Sequence, residues 1–452
     1  MKFILSRLGI NKDIILTGTN TILGACGSLV TSFLALKYLT LQEQGYYYTF
    51  LSVIAAQVLF ELGLNSILIQ YVAHENVSIN TTNNNILKEY LIKSKSRLAS
   101  LLHFSIKWYS VVSVLVFIFL IIAGIVIFGR SENIPDISWL NPWLLLVFCA
   151  AINLLVSPIL AFIQGLGEIK EIAKIQLIVQ CVRLLSMWLA LIYGLKLAAL
   201  SLGSLLPSIL LVFLIYKKFY KKLKEIWITE ICEKINYFDE IYPYQWRIAL
   251  SWSSGYLTSQ IFNPIIFAVE GPVVAGQMGL TISALNGISA ITIVWMTTKI
   301  PLFSGLIAKK NYNDLDQIFR RTLKVSTVVN ISLVVLFIGL IQVINDCGVK
   351  YNKQFLGDRF LSLWPLIFMS LPIIINHIVA SWAINLRCHK KEPYLIFSVV
   401  GGLICLTGSL YVCLNYGVMG VAVFNMLMVF LMFPWAYIIY KKRIEEWRVL
   451  CK

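Results

Sequence analysis

Glu61 is a carboxylate in the middle of an apolar run. Gln57, Glu61 and Asn65 recur at i, i+4 and i+8, so an unbroken helix sets all three on one face. A charge at bilayer depth costs about 2.5–3.5 kcal/mol on insertion scales, so its presence there implies a use. A carboxylate so placed either exchanges protons, its affinity altered by burial, or pairs with a cation to tie helices together. Arg183 is the cation at comparable depth, and from Cys181 to Met187 its neighbours are apolar apart from Ser186. An arginine fork matches a phosphate bidentately. Either Glu61 or an anionic ligand would offset its burial.

Weaker signals surround these two. Lys37, Glu270 and Lys299 fall near the ends of apolar runs, where long side chains reach the interface or face a polar path. His377, beside Asn376, is either a proton relay or a hydrogen-bonded interior histidine. Thr17, Asn20, Gly24, Ser28 and Thr31 share one face of one run; Ser251, Gly255, Ser259 and Asn263, followed by Pro264, share a face of another. Such stripes either let helices pack closely or line a polar cavity between two halves of the chain. The aromatic residues read as interfacial belts, and no sugar-stacking platform is legible among them.

Helices must position these groups in a bilayer. At 1.5 Å per residue, roughly 20 apolar residues cross a core about 30 Å thick. Twelve spans are expected, near 14–37, 46–73, 107–128, 141–163, 175–195, 197–216, 248–270, 273–298, 325–345, 361–384, 394–414 and 417–440. The odd-numbered connections carry only Lys37, Arg130, Lys196, Lys350, Lys353 and Arg359. Setting aside Arg183, all other members of the 38 Lys and Arg lie on the tails and the even connections. That asymmetry predicts both termini in the cytoplasm and a multi-pass protein of the inner membrane.

The expected division is an amino-terminal six-helix lobe (1–216), a basic cytoplasmic linker (217–247) opening with Lys217, Lys218, Lys221, Lys222 and Lys224, and a carboxy-terminal six-helix lobe (248–452). A shift of 231 residues aligns Gly24 with Gly255 and Gly45 with Gly276, the mark of a parallel repeat. Each half also has a cytoplasmic amphipathic segment. The first, 86–104, sets Leu87, Leu91, Leu98, Leu101 and Leu102 opposite Lys88, Lys95 and Arg97. The second, 313–324, has Asn313 and Asp316 as a capping pair and Leu315, Ile318, Phe319 and Leu323 as its stripe. Both are expected to lie in the interface.

Composition excludes several classes. With 58% hydrophobic and 13% charged residues and a mean hydropathy of +0.79, the chain is not a soluble globular protein. Its net charge of +16 follows from topology and anionic lipid rather than nucleic acid, because every basic run flanks a span. Nine cysteines show no metal spacing, and with Cys347 alone in an expected external loop no disulfide framework follows. The amino end, Met1 to Asp13, does not resemble a cleavable signal. No connection holds a catalytic Asp, Glu and His cluster, His74, His103 and His389 are scattered, and no phosphate-binding GxxxxGK[ST] loop occurs. Asn76-Val-Ser and Asn80-Thr-Thr spell glycosylation acceptors on the cytoplasmic side and are set aside.

Several runs resemble a known family. Glu61-Leu-Gly-Leu-Asn65 leading into Gln70-Tyr-Val-Ala73, Gln164-Gly-Leu-Gly167 before a basic loop, and the segment Asn313–Lys324 are similar to the polysaccharide exporter family, O-antigen flippases of the Wzx-like kind, within the multidrug/oligosaccharidyl-lipid/polysaccharide exporter superfamily. Where the family often has an arginine several residues after the acid, this chain has Gln70 and Tyr71. The resemblance implies an all-α polytopic fold like that of the MATE transporters, and no enzyme activity. It implies transfer of an undecaprenyl-diphosphate-linked oligosaccharide, of O-antigen or capsule type, from the cytoplasmic to the periplasmic leaflet by alternating access. Arg183, Lys37, Lys299, Asn20 and Asn263 would contact the substrate, with Glu61 as coupling or structural acid. Membrane lipids and other polysaccharide-assembly proteins are the expected partners. No cofactor is expected; an ion gradient is a possible drive. A multidrug or small-cation antiporter on the same scaffold is the alternative, and a polymerase or ligase lacks its large external loop.

Overall fold

Hydropathy alone dictates helices here, and helices are what form. The computed structural model describes residues 12–80, 87–129, 137–351, 354–389 and 392–449. Arg130, Lys353 and the amino end to Asn11 lie outside these residues, as do the side chains of Thr17, Leu87, Lys88 and Leu91.

The first half comprises α1 (Lys12–Tyr38), α2 (Leu41–Ile54), a 3-10 turn (Ala55–Gln57), α3 (Val58–Glu61), α4 (Leu64–Asn80), α5 (Leu87–Phe128), α6 (Leu140–Gly165), α7 (Ile169–Ile192) and α8 (Ala198–Ile228). The second comprises α9 (Tyr242–Ser259), α10 (Phe262–Glu270), α11 (Pro272–Thr297), α12 (Ile300–Ala308), α13 (Tyr312–Asp346), α14 (Leu363–Arg387) and α15 (Leu395–Val449). The two-residue strands β1 (Lys350–Tyr351) and β2 (Gln354–Phe355) pair antiparallel, with Lys350 opposite Phe355. Among the described residues eight helices are long and apolar enough to cross a membrane, or nine if the bent pair around residue 62 counts as one span. Every one of the twelve expected spans falls on helix, and the last two lie within α15. Gly417 (φ 59°, ψ −154°) interrupts that helix, and the Glu270 carboxylate accepts from the Val418 N–H at 2.6 Å, capping the second part. Glu270 is therefore a helix cap.

The chain forms two compact units. One contains the residues up to Leu34 together with Val53–Ser253; the other contains Ala35–Ser52 together with Ser254–Lys452. In the second unit α2 begins with a reciprocal cap, Thr40 N–H donating to Glu43 Oε2 at 2.9 Å and Glu43 N–H to Thr40 Oγ1 at 3.2 Å. One turn on, Gln44 donates to the carbonyls of Gly276 (2.9 Å) and Arg359 (3.1 Å), while Arg359 Nη1 donates back to Gln44 Oε1 at 3.2 Å. Gly45 and Gly276, the pair aligned by the internal repeat, meet here: a Cβ on Gly276 would stand 2.8 Å from Gly45 N.

The two amphipathic segments do not lie flat in the interface. Residues 87–104 continue into span three as one helix of 42 residues, and Leu98, Leu101 and Leu102 are buried inside the first unit. Residues 312–324 likewise continue into span nine, with Leu315 and Phe319 buried in an aromatic core beside Trp382. The cap is Asn311, whose Oδ1 accepts from Asp314 N–H at 3.3 Å, two residues earlier than the expected Asn313 and Asp316.

Arg97 is not on a solvated face. It donates to Glu75 (2.9 Å), Glu233 (3.2 Å) and Glu240 (2.5 Å), and Lys93 reaches Glu233 at 2.9 Å. Glu233 N–H and Ile235 N–H donate to Ser96 and Ser100, so the segment after α8 is docked on α5. Lys93 and then Arg97 hold the Glu233 carboxyl below its usual value. A group depressed in this way stabilises docking above its ordinary pKa of about 4.3, and the contribution disappears as pH falls through the lower folded value. Protection of the Glu233 and Ile235 amides from hydrogen exchange, corrected for intrinsic rate, should drop on acidification below pH ~4. In Glu233→Gln that pH dependence should be absent; an unchanged profile would show that Glu233 does not hold the segment.

Candidate functional site

Span two breaks where its chemistry lies. A 3-10 turn precedes α3, and Leu62 and Gly63 adopt left-handed φ values of 52° and 65°, bending the span by 46°. Gln57, Glu61 and Asn65 are therefore not one continuous stripe, because the helical phase is lost between the second and the third. Glu61 ends α3, half-buried, and has no ion pair among the described residues, with Arg183 or any other cation.

Beyond the break Asn65 joins a polar node. Tyr109 Oη donates to Asn65 Oδ1 at 2.8 Å, and Asn65 Nδ2 donates to Ser157 Oγ at 3.3 Å. Pro158 lacks the N–H that would reach the Leu154 carbonyl, and Ser157 Oγ donates to that carbonyl at 2.8 Å instead. Glu61 lies within electrostatic reach of Tyr109. A carboxylate without a cation, at a helix break beside a hydrogen-bond chain, can change protonation state without disrupting an ion pair.

The second unit has its counterpart. His377 of α14 contacts Ser326 Oγ through Nε2 at 3.0 Å and Thr292 Oγ1 through Nδ1 at 3.4 Å, and Asn330 Nδ2 donates to Thr292 at 3.0 Å. His377 is thus the hydrogen-bonded interior histidine. In each unit the node ties together the second, third and fourth helices of its half, as a parallel repeat requires.

Asn20 and Arg183 border one seam. A Cβ on Gly24 would lie 3.5 Å from Gln180 Nε2, one on Gly27 would strike Leu184, and Trp188 Nε1 donates to Thr31 Oγ1 at 2.8 Å. The contacts advance together along both chains, so α1 and α7 run parallel, as spans one and five should. Asn20 lies one turn before Gly24, and its buried Oδ1 has no hydrogen-bond partner. Arg183 flanks Leu184, exposed, about 10 Å along the seam from Asn20 at 1.5 Å rise per residue. In the second unit Gly402 of span eleven packs against Ser254 of span seven.

The other expected site residues belong to the second unit. Lys37 is half-buried, its ammonium 5.2 Å from the Tyr38 ring centre. Lys299 is exposed at the junction of α11 and α12. Span seven breaks at Gln260 and Ile261, which turns Asn263 away from the face of Ser259. Asn263 is 5% exposed, packs against Gly279, and keeps an unpartnered Oδ1. Ser259 instead lines a cavity of about 100 Å³ with Thr258, Asn286, Asn376 and Asn425, whose amides and hydroxyls sequence reading did not bring together. Among the described residues no cluster of His, Cys, Asp and Glu could hold a metal ion.

No family model matches the chain, and no curated protein matches it. Solved structures do. Lipid II flippase MurJ in an inward closed conformation superposes with a TM-score of 0.57 at 15% identity, covering 94% of this chain and 87% of that one. A Vibrio cholerae MATE transporter gives 0.57 at 11% identity, covering 96% of both chains. A MATE-family transporter of the MOP superfamily in an outward-facing conformation gives 0.56 at 13% identity, covering 95% and 96%. The fold is that of the MATE and MurJ transporters.

Proposed function

We propose that this chain flips an undecaprenyl-diphosphate-linked oligosaccharide, of O-antigen or capsule type, from the cytoplasmic to the periplasmic leaflet of a bacterial inner membrane. Arg183 carries the reading: an exposed guanidinium midway along α7, on the seam that also holds the unsatisfied Asn20 amide. A diphosphate offers the paired oxygens such a fork binds, and its lipid tail stays in the bilayer. Of the two acids inside the spans, Glu270 is committed to capping, so Glu61 is left for coupling to an ion gradient. A carrier of organic cations would keep more acid than this. Alternating access is supported by transporters of similar fold solved in inward-facing and outward-facing conformations. Lys37, Lys299 and Asn263 are proposed as further substrate contacts, and membrane lipids and other polysaccharide-assembly membrane proteins as partners, with no enzymatic step.

Arg183→Gln is expected to lose most transport, about tenfold or more from the loss of charge-assisted bonds worth roughly 1.5–3 kcal/mol, at unchanged protein level. Arg183→Lys should keep part of it. Full transport by the glutamine variant would remove Arg183 from the site. The charge asymmetry supports a cytoplasmic position for both termini and the 217–247 segment. Asn236→Cys, in a background without native cysteines, should escape an impermeant thiol reagent added to intact cells; labelling there would invert the topology. For the function itself, deletion of the gene should accumulate lipid-linked repeat units on the cytoplasmic face. Normal export with heightened sensitivity to organic cations would point to the antiporter.

A further inference from the structure

The last turns of α8 divide their lysines by face. Lys218 and Lys222, one turn apart, are neutralised by acids at the start of α7, Lys218 by Glu171 and Lys222 by Glu168 at 3.0 Å. Lys217, Lys221 and Lys224 recur at i, i+4 and i+7 on another face, are exposed, and make no ion pair among the described residues. Glu225 is the one acid within 217–228, and it pairs with none of them there.

An apolar groove runs beside this stripe. Tyr216, Tyr220 and Trp227 are exposed on the adjoining face of α8. Next to them lies a cavity of about 370 Å³ within the first unit, lined by Leu102 and Ile106 of α5, Ile159 of α6, and Leu223 and Ile228 of α8. Lys224 is the one charged residue along it, and Trp227 stacks on His103 with ring centres 3.7 Å apart. Ile159 stands one turn inside the expected fourth span and Leu223 two turns past the sixth, so the groove straddles the boundary between hydrocarbon and head groups. Lysines that snorkel mark the ends of many spans. Snorkelling accounts for the stripe, but not for an apolar groove whose open side carries the lysines that no acid neutralises.

We propose that this groove holds an anionic phospholipid, one acyl chain along Leu102, Ile106, Ile159 and Leu223, and its phosphate on the face of Lys217, Lys221 and Lys224. A zwitterionic lipid would fill the groove but bring an ammonium to the lysines. A free phosphate would leave the apolar lining bare. The assignment needs α8 to meet a bilayer and is independent of what the chain transports.

Native mass spectrometry of the delipidated full chain tests it, with phosphatidylglycerol and phosphatidylcholine of the same acyl chains as probes. The first phosphatidylglycerol should bind about tenfold tighter than the first phosphatidylcholine, or better. Lys221→Gln with Lys224→Gln should remove that preference, a loss of about tenfold or more. Lys218→Gln with Lys222→Gln, the same change in net charge, should keep it. Ile106→Trp, which fills the groove, should weaken both lipids; if that variant melts early, the two lysine pairs decide alone. Equal affinity of the parent for the two lipids, or equal loss in the two lysine pairs, overturns the site. Displacement by undecaprenyl phosphate at concentrations below those at which phosphatidylglycerol saturates overturns it as well, because the groove would then belong to a polyprenyl lipid.

Discussion

Glu61→Ala should reduce export at least tenfold while the protein inserts at normal abundance, and Glu61→Asp should keep part of the activity. The two halves of this expectation have separate causes. Abundance should hold because Glu61 has no ion pair among the described residues, so its removal strands no buried cation there. Export should fall because a half-buried carboxylate at a helix break can bias one conformation over another through its protonation. Each unit of difference in its proton affinity between states is worth about 1.4 kcal/mol, a tenfold shift in their populations. Complementation of a deletion strain, with protein level read in parallel, decides the matter. Full export by Glu61→Ala at native expression would leave the residue with no role in coupling; lost abundance would make it a packing group.

Gly45→Ala should strongly destabilise the second unit. A Cβ at this position would stand 1.8 Å from the Pro272 carbonyl oxygen and 2.5 Å from its carbon, and both atoms are backbone. No side chain can swing away to make room, so α2 must part from α11 and take the Gln44–Arg359 hydrogen bonds with it. Overpacking costs about 1–3 kcal/mol where neighbours can adjust and more where they cannot. Gly255→Ala is the control: a Cβ there meets nothing within 4 Å, and alanine gains roughly 0.5–1 kcal/mol over glycine inside a helix. Thermal melts of the purified variants should separate the two by many degrees. A Gly45→Ala protein that melts with the parent would refute the close approach of α2 and α11.

The sequence reveals what hydropathy controls. Twelve apolar runs become helices because the bilayer leaves no other way to satisfy the backbone, and the parallel repeat surfaces in Gly45 and Gly276 because both must be small where they touch. Breaks inside spans were much less legible. Gly63 was visible, but Leu62 in a left-handed conformation has no signature, and nothing in Gln260-Ile261 marks the interruption that turns Asn263 away from Ser259. Arg97 shows a different limit. Its helix periodicity placed it opposite the leucines, on a face that ordinarily meets solvent, yet its three carboxylates come from sequence positions up to 143 residues away.

The central claim is translocation of a diphosphate-linked saccharide lipid, and reconstitution tests it most directly. The purified chain is placed in liposomes containing a fluorescently tagged undecaprenyl-diphosphate disaccharide, with dithionite added outside to bleach the tag on the accessible leaflet. The account predicts that bleaching passes the half-way level left by empty liposomes and approaches completion, and that Arg183→Gln and Glu61→Ala vesicles stay near half. Bleaching that halts at half with the parent protein under every imposed ion gradient would contradict it.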